Sequence, residues 1–227
     1  MPSLCAVCRG WDTARVCGRC VRRFSDAAPR CGRCALEVPP GVAVCGACVL
    51  APPPFDAAFA GADYAHPWAA LVTQFKFHGA LDLADALAGR IQAARARDPS
   101  RRPELLLPVP LAVERLRERG FNQAWELARR LAQLVGGKAD AGLLLRTRAT
   151  PHQLALPLDR RAANVRGAFA VEPLRRAELR GRHVALIDDV MTSGATLGEL
   201  ARVLKQAGAA RVEAWVVART PRPSRGD

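Results

Sequence analysis

The sequence has no apolar run approaching the roughly 18 to 20 residues that a membrane-spanning helix requires. Its N-terminus turns to Cys5 and Cys8 where a secretory leader needs an apolar core. These two absences make the cytoplasm the expected location. Neither GxxxxGKS/T nor GxGxxG occurs, so a Walker loop and a dinucleotide fingerprint are both excluded. Cysteine is missing after Cys48. Lysine is scarce throughout: of 34 basic residues only Lys76, Lys138 and Lys205 are lysine, a pattern that fits coding bias better than a selected charge pattern.

What remains is ample for a globular chain. At 227 residues and 50% hydrophobic content there is room for one full domain plus a small accessory one. The net charge of +13 is uneven: residues 1–50 carry +4, residues 51–104 balance, and residues 105–227 carry +9. Such a surface suits polyanionic partners, either a diphosphate-bearing small molecule or nucleic acid, and it equally suits a merely solvated face.

All eight cysteines form four CxxC pairs, Cys5/Cys8, Cys17/Cys20, Cys31/Cys34 and Cys45/Cys48, three of them with glycine after the first cysteine (Gly18, Gly32, Gly46). Two thiolates from one knuckle occupy two corners of a tetrahedron, so four knuckles supply two closed four-thiolate zinc sites. Those sites are expected to be structural, because four thiolates leave no open coordination position. A disulfide framework would need an oxidising compartment that nothing here indicates. The sequence alone does not decide between consecutive pairing, which gives two stacked ribbons, and alternate pairing, which gives a cross-brace; the expectation leans towards ribbons.

Ala51-Pro52-Pro53-Pro54 forms a stiff connector that marks a boundary. Residues 51–104 read as a linker or hood packed on the main domain, mainly helical over 81–96. Within it Lys76, in Phe75-Lys76-Phe77-His78-Gly79, either reaches a ligand or snorkels at the surface. From residue 105 to 220, short apolar runs alternate with helical patterns, the signature of a parallel sheet wrapped by helices. Strands are expected at 105–107, 143–145, 169–171, 183–187 and 212–218. One helix should carry Ala124, Leu127, Ala128, Leu131 and Leu134 on one side, and another should span 197–206. Residues 221–227 read as a disordered tail.

The chemistry concentrates where Val184-Ala185-Leu186-Ile187 runs into Asp188-Asp189-Val190-Met191-Thr192-Ser193-Gly194-Ala195-Thr196. A buried strand delivers these residues to the carboxyl edge of a sheet, where open α/β folds bind ligands. Two carboxylates suit the vicinal hydroxyls of a ribose. Small and hydroxylated residues opening a helix suit a phosphate, through backbone N–H groups, hydroxyls and the helix dipole. The segment resembles the 5-phosphoribosyl-1-pyrophosphate (PRPP) binding motif of the type I phosphoribosyltransferases.

Pro108-Val109-Pro110-Leu111 with Arg119-Gly120-Phe121-Asn122-Gln123, then Thr150-Pro151-His152-Gln153 with Arg161-Ala162-Ala163-Asn164 and Gly167-Ala168-Phe169, extend the resemblance to the ComF family of competence-associated proteins. Thr192-Ser193 stands where that family often has two threonines. The resemblance implies an α/β type I phosphoribosyltransferase fold with a small N-terminal zinc module, and a role in natural transformation, the uptake and processing of single-stranded DNA. Its implied partners are PRPP, single-stranded DNA and DNA-uptake or recombination proteins. Asp188 and Asp189 would hold the ribose hydroxyls, Thr192, Ser193, Gly194, Ala195 and Thr196 the 5′-phosphate, and Val109 and Pro110 the pyrophosphate, with Mg²⁺ bridging pyrophosphate and ribose oxygens. Arg119 is the candidate for stabilising charge on a departing pyrophosphate. Residues 147–158 would form a mobile loop over the site, while Arg161 and Asn164 fit a site role and helix surface equally. No segment identifies an acceptor, so an enzyme, a PRPP sensor and a DNA-binding adaptor all remain open.

Overall fold

The computed structural model describes residues 2–25, 28–98, 102–148 and 163–222. Thr150 to Gln153, Arg161, most of the 147–158 loop and the end of the tail lie outside the described residues.

The centre is a five-stranded, fully parallel sheet in the order β3 (Ala57–Asp63), β9 (Arg211–Arg219), β8 (His183–Met191), β4 (Leu105–Pro108) and β5 (Lys138–Ala139). Period-two alternation explains how helices cover both faces. Val184 and Leu186 of β8, with Val212, Ala214 and Val216 of β9, pack in one core with Leu197, Leu200, Ala201 and Leu204 of α7 (Ala195–Gln206). Ala185, Ile187, Trp215 and Val217 point the other way. They meet α3 (Trp68–Phe77), α4 (Ala84–Arg95) and α6 (Gln123–Val135). On α6, Ala124, Leu127, Ala128 and Leu131 are buried as expected, but Leu134 is half exposed and Ala132 takes its place against the core.

Two expectations change here. Residues 51–104 are not merely packed on the main domain: β3 is an edge strand of its sheet, and α3 and α4 cover one face. The sequence Ala57-Ala58-Phe59-Ala60-Gly61-Ala62-Asp63 has little strand propensity, and burial overrides it. Gly61 is needed there, since a Cβ would sit 2.8 Å from the Arg90 backbone of α4. The run at 143–145 is observed as β6 (Leu144–Arg146), which leaves the main sheet and pairs antiparallel with β7 (Phe169–Val171).

The N-terminal module contains β1 (Ser3–Leu4), β2 (Trp11–Asp12), α1 (Gly18–Arg23) and α2 (Gly46–Leu50). Its first knuckle pair packs on α3 and α4, with Trp68 Nε1 donating to the Phe24 carbonyl at 2.8 Å. Its second pair is tied to the start and end of β3: Arg33 donates to the Asp56 carbonyl at 2.9 Å, and Arg30 meets Asp63 at 2.9 Å.

Candidate functional site

The eight cysteines gather as Cys5, Cys8, Cys17 and Cys20 in one group and Cys31, Cys34, Cys45 and Cys48 in the other, the sulfurs of each group within 4.8 Å of one another. Consecutive knuckles therefore pair, and the cross-brace is excluded. The Sγ separations of 3.8 Å for Cys8 and Cys17 and 3.7 Å for Cys34 and Cys45 match the roughly 3.8 Å edge of a tetrahedron with zinc–sulfur bonds of about 2.3 Å. Both donor sets fit zinc, and the two clusters could hold two ions. Burial alone would raise the Cys5 thiol, but backbone N–H donors from Cys17, Cys8 and Val7 bring it down to about 6. Cys20 is pushed up to about 12 by burial and by its sulfur neighbours. A divalent cation is what would let all four ionise together.

The second site lies at the carboxyl edge of the sheet. β8 runs to Met191, so Asp188 and Asp189 stand within the strand near its carboxyl end, paired with β9 through Asp188 opposite Val216. They line a cavity of about 520 Å³ with Lys76 and Phe77 of α3, the Val109-Pro110 turn, Arg119, Gln123, Arg146, and Val190 to Thr192 and Gly194 to Thr196 of the loop. Among the described residues, the structure thus brings the sequence-predicted pieces to one place. Ser193 faces a neighbouring cavity behind the loop, between the second knuckle pair and α7, and its hydroxyl accepts from the Ala195 N–H at 3.4 Å.

Each piece is held by local chemistry. Gly194 N-caps α7 at φ +80°, a left-handed conformation that glycine takes without strain, and this turn presents the first N–H groups of a 12-residue helix. Asn122 N-caps α6: its Oδ1 accepts from the N–H groups of Ala124 and Trp125, and its Nδ2 donates to the Val109 carbonyl at 3.1 Å. That bond fixes the turn at 108–111 against the start of α6. Arg119 closes α5 (Val113–Arg119), bonds to Gln123 Oε1 and lies 5.3 Å from the Phe77 ring centroid.

The carboxylate pair is asymmetric. Asp189 is 2% exposed; its Oδ1 accepts from the Val190 N–H at 3.0 Å and its Oδ2 meets Lys76 Nζ at 2.8 Å. Asp188 is half-buried, and its Oδ1 accepts from the Asp189 N–H at 2.9 Å. Burial and the neighbouring Asp189 charge push the Asp188 carboxyl well above its usual range. For Asp189 burial pulls the same way, but the Lys76 ammonium outweighs it and holds the group ionised. Lys76 is itself held protonated, against burial, by the two carboxylates.

Sequence reasoning left Lys76 undecided between ligand and surface, and it missed Phe77, Arg146 and Arg219. Arg219, 6% exposed at the end of β9, ties the two sites together. Its Nη1 donates to the carbonyls of Met191 at 2.9 Å, Thr220 at 2.9 Å, and Thr192, while its Nε donates to the Cys34 carbonyl at 2.9 Å. The backbone at Met191 and Thr192 and the second cysteine cluster share one buried guanidinium.

Residues 124–225 match the phosphoribosyl transferase domain family. The chain is 36% identical over 163 residues to the DNA utilization protein YhgH of Escherichia coli O6:H1, covering 70% of each chain. It is 32% identical over 161 residues to competence protein F of Haemophilus influenzae, covering 69% of each. To competence protein ComFC of Bacillus subtilis it is 28% identical over 150 residues, covering 66% of this chain and 58% of that one.

Proposed function

The chain belongs to the ComF family of competence-associated, phosphoribosyltransferase-like proteins, and from that premise we propose that it binds PRPP in the cavity at the carboxyl edge of the sheet. The observation that carries this reading is the convergence on one cavity of a strand carrying two carboxylates near its end, a glycine-opened helix start, and the Val109-Pro110 turn anchored by Asn122. The helix start suits the 5′-phosphate, the carboxylate end suits ribose hydroxyls, and the turn with Arg119 suits the pyrophosphate. Mg²⁺, which favours phosphate oxygens and water, would neutralise part of the pyrophosphate charge when bound.

Whether phosphoribose is transferred depends on an acceptor. Arg119, which lines the same cavity as the carboxylates, can stabilise charge that develops on a departing pyrophosphate more than it stabilises bound PRPP. A second reading, favoured by the +9 charge of residues 105–227 and by the names of the relatives, a DNA utilization protein and a competence protein, is that PRPP binding serves a protein that handles single-stranded DNA in the cytoplasm. Calorimetric titration with PRPP and Mg²⁺ tests the binding claim: the Asp188→Ala/Asp189→Ala double variant should lose affinity by roughly 1.5 to 3 kcal/mol for each charged hydrogen bond removed. Pyrophosphate release across candidate acceptors then separates the classes. An enzyme shows Arg119→Ala with much reduced turnover and a modest binding loss, and a sensor or adaptor shows none even in wild type.

A further inference from the structure

The two carboxylates do not offer a ligand the same thing. Asp189 is 2% exposed, and both of its oxygens already have partners, the Val190 N–H and the Lys76 ammonium. Asp188 is the more open of the two, with its Oδ1 on the Asp189 N–H. Lys76 keeps 27% of its side chain exposed and lines the cavity while it touches Asp189. It comes from α3, outside the residues that match the phosphoribosyl transferase domain.

We propose that Lys76 is a ligand of the pyrophosphate group, that Asp189 is the positioning residue that aims it, and that Asp188 is the carboxylate left to meet the ribose. The assignment rests on the PRPP reading of this cavity. Placement gives the direction. Lys76 Nζ lies 5.9 Å and the Arg119 guanidinium 5.3 Å from the same Phe77 ring centroid, so the two cations share one aromatic side chain of the cavity lining. Arg119 bonds to Gln123 of α6, whose cap Asn122 holds the turn at 108–111, while the helix start of α7 follows the two carboxylates along the chain. An ammonium carries three donors, and one bond to Asp189 leaves it able to bond phosphate oxygens as a point charge. Charge requires such a group. Two carboxylates in a partly desolvated wall would repel a polyanionic ligand, and Lys76 with Arg119 brings the formal sum of these four residues to zero.

The test splits PRPP into its halves. Wild type, K76M, K76R, D189N and D188N are titrated with PRPP plus Mg²⁺, with inorganic pyrophosphate plus Mg²⁺, and with ribose 5-phosphate. K76M should lose about 10- to 100-fold in affinity for PRPP and pyrophosphate, the range of one charge-assisted hydrogen bond, and keep ribose 5-phosphate binding. K76R should recover most of the pyrophosphate affinity. D189N should follow K76M and D188N should do the reverse, a split that a general loss of folding would not produce. If wild type binds PRPP and K76M matches it on pyrophosphate, the Lys76 assignment falls alone. If D189N loses ribose 5-phosphate and keeps pyrophosphate, Asp189 is a ribose ligand and the division of roles is wrong. If wild type binds none of the three, the PRPP reading falls and takes this assignment with it.

Discussion

Arg219→Met would remove one planar fork and leave the aliphatic stem. The guanidinium donates to four carbonyls, those of Cys34, Met191, Thr192 and Thr220. Hydrogen bonds to a charged group are worth about 1.5 to 3 kcal/mol each, but releasing a buried cation from its desolvation offsets much of that sum. A net loss of about 2 to 4 kcal/mol follows, within the range of broken buried networks. For a chain of this length each kcal/mol moves the melting temperature by roughly 2 to 4 °C, so calorimetry should read a drop of about 5 to 15 °C. On the proposed function PRPP affinity should fall as well, because Met191 and Thr192 lead from β8 into the Gly194-capped start of α7. Arg222→Met is the control: its Nη2 reaches Cys45 Sγ at 3.4 Å, so its shift should stay within a few tenths of a kcal/mol. An Arg219→Met protein that melts within about a degree of wild type and binds PRPP equally well would refute the bridging argument.

Elemental analysis of the purified protein should find about two zinc ions per chain, and one or none would contradict the paired-knuckle sites. Glu213 is fully buried and receives Arg95 at 3.0 Å, His183 at 3.0 Å and Trp215 at 2.9 Å. Burial would raise its pKa, but these partners hold it down at about 2 against an ordinary 4.5. Its contribution is therefore complete above pH 4.5 and is lost as pH falls through about 2. Glu213→Gln should cost about 3 to 5 kcal/mol at pH 7, since it removes the buried carboxylate that Arg95, His183 and Arg211 share, and should flatten the acid limb of a urea-melt pH series; equal stability of the two proteins would contradict this. Single-stranded DNA should bind with weak sequence preference and lose affinity steeply as salt rises. Absence of binding at moderate salt would reduce the +9 region to a solvated surface.

Legibility in the sequence tracked how local each signal was. β8 and β9 were readable because their apolar runs are buried on both faces, and α6 and α7 because their apolar spacing follows one helical side. The segment from Asp188 to Thr196 stood out because its carboxylates, hydroxylated residues and glycine are contiguous. β3 was not, because a strand of alanine and glycine carries no local signature and is decided by packing between Trp215 and α4. Knuckle pairing stayed open because spacing alone permits both arrangements. Lys76 and Arg219 are single polar residues among apolar neighbours, and their roles arise from contacts 113 and 185 positions distant, which no local pattern records.

The most direct measurement is the crystal structure of the protein with PRPP and Mg²⁺ bound. The 5′-phosphate should lie on the backbone N–H groups at the Gly194-opened start of α7, the ribose hydroxyls should face Asp188, and the pyrophosphate should lie between the turn at 108–111 and the cations Lys76 and Arg119. A phosphate seated instead in the cavity behind the loop, against Arg202 and Pro54, or a site that stays empty at saturating PRPP, would contradict the proposed function.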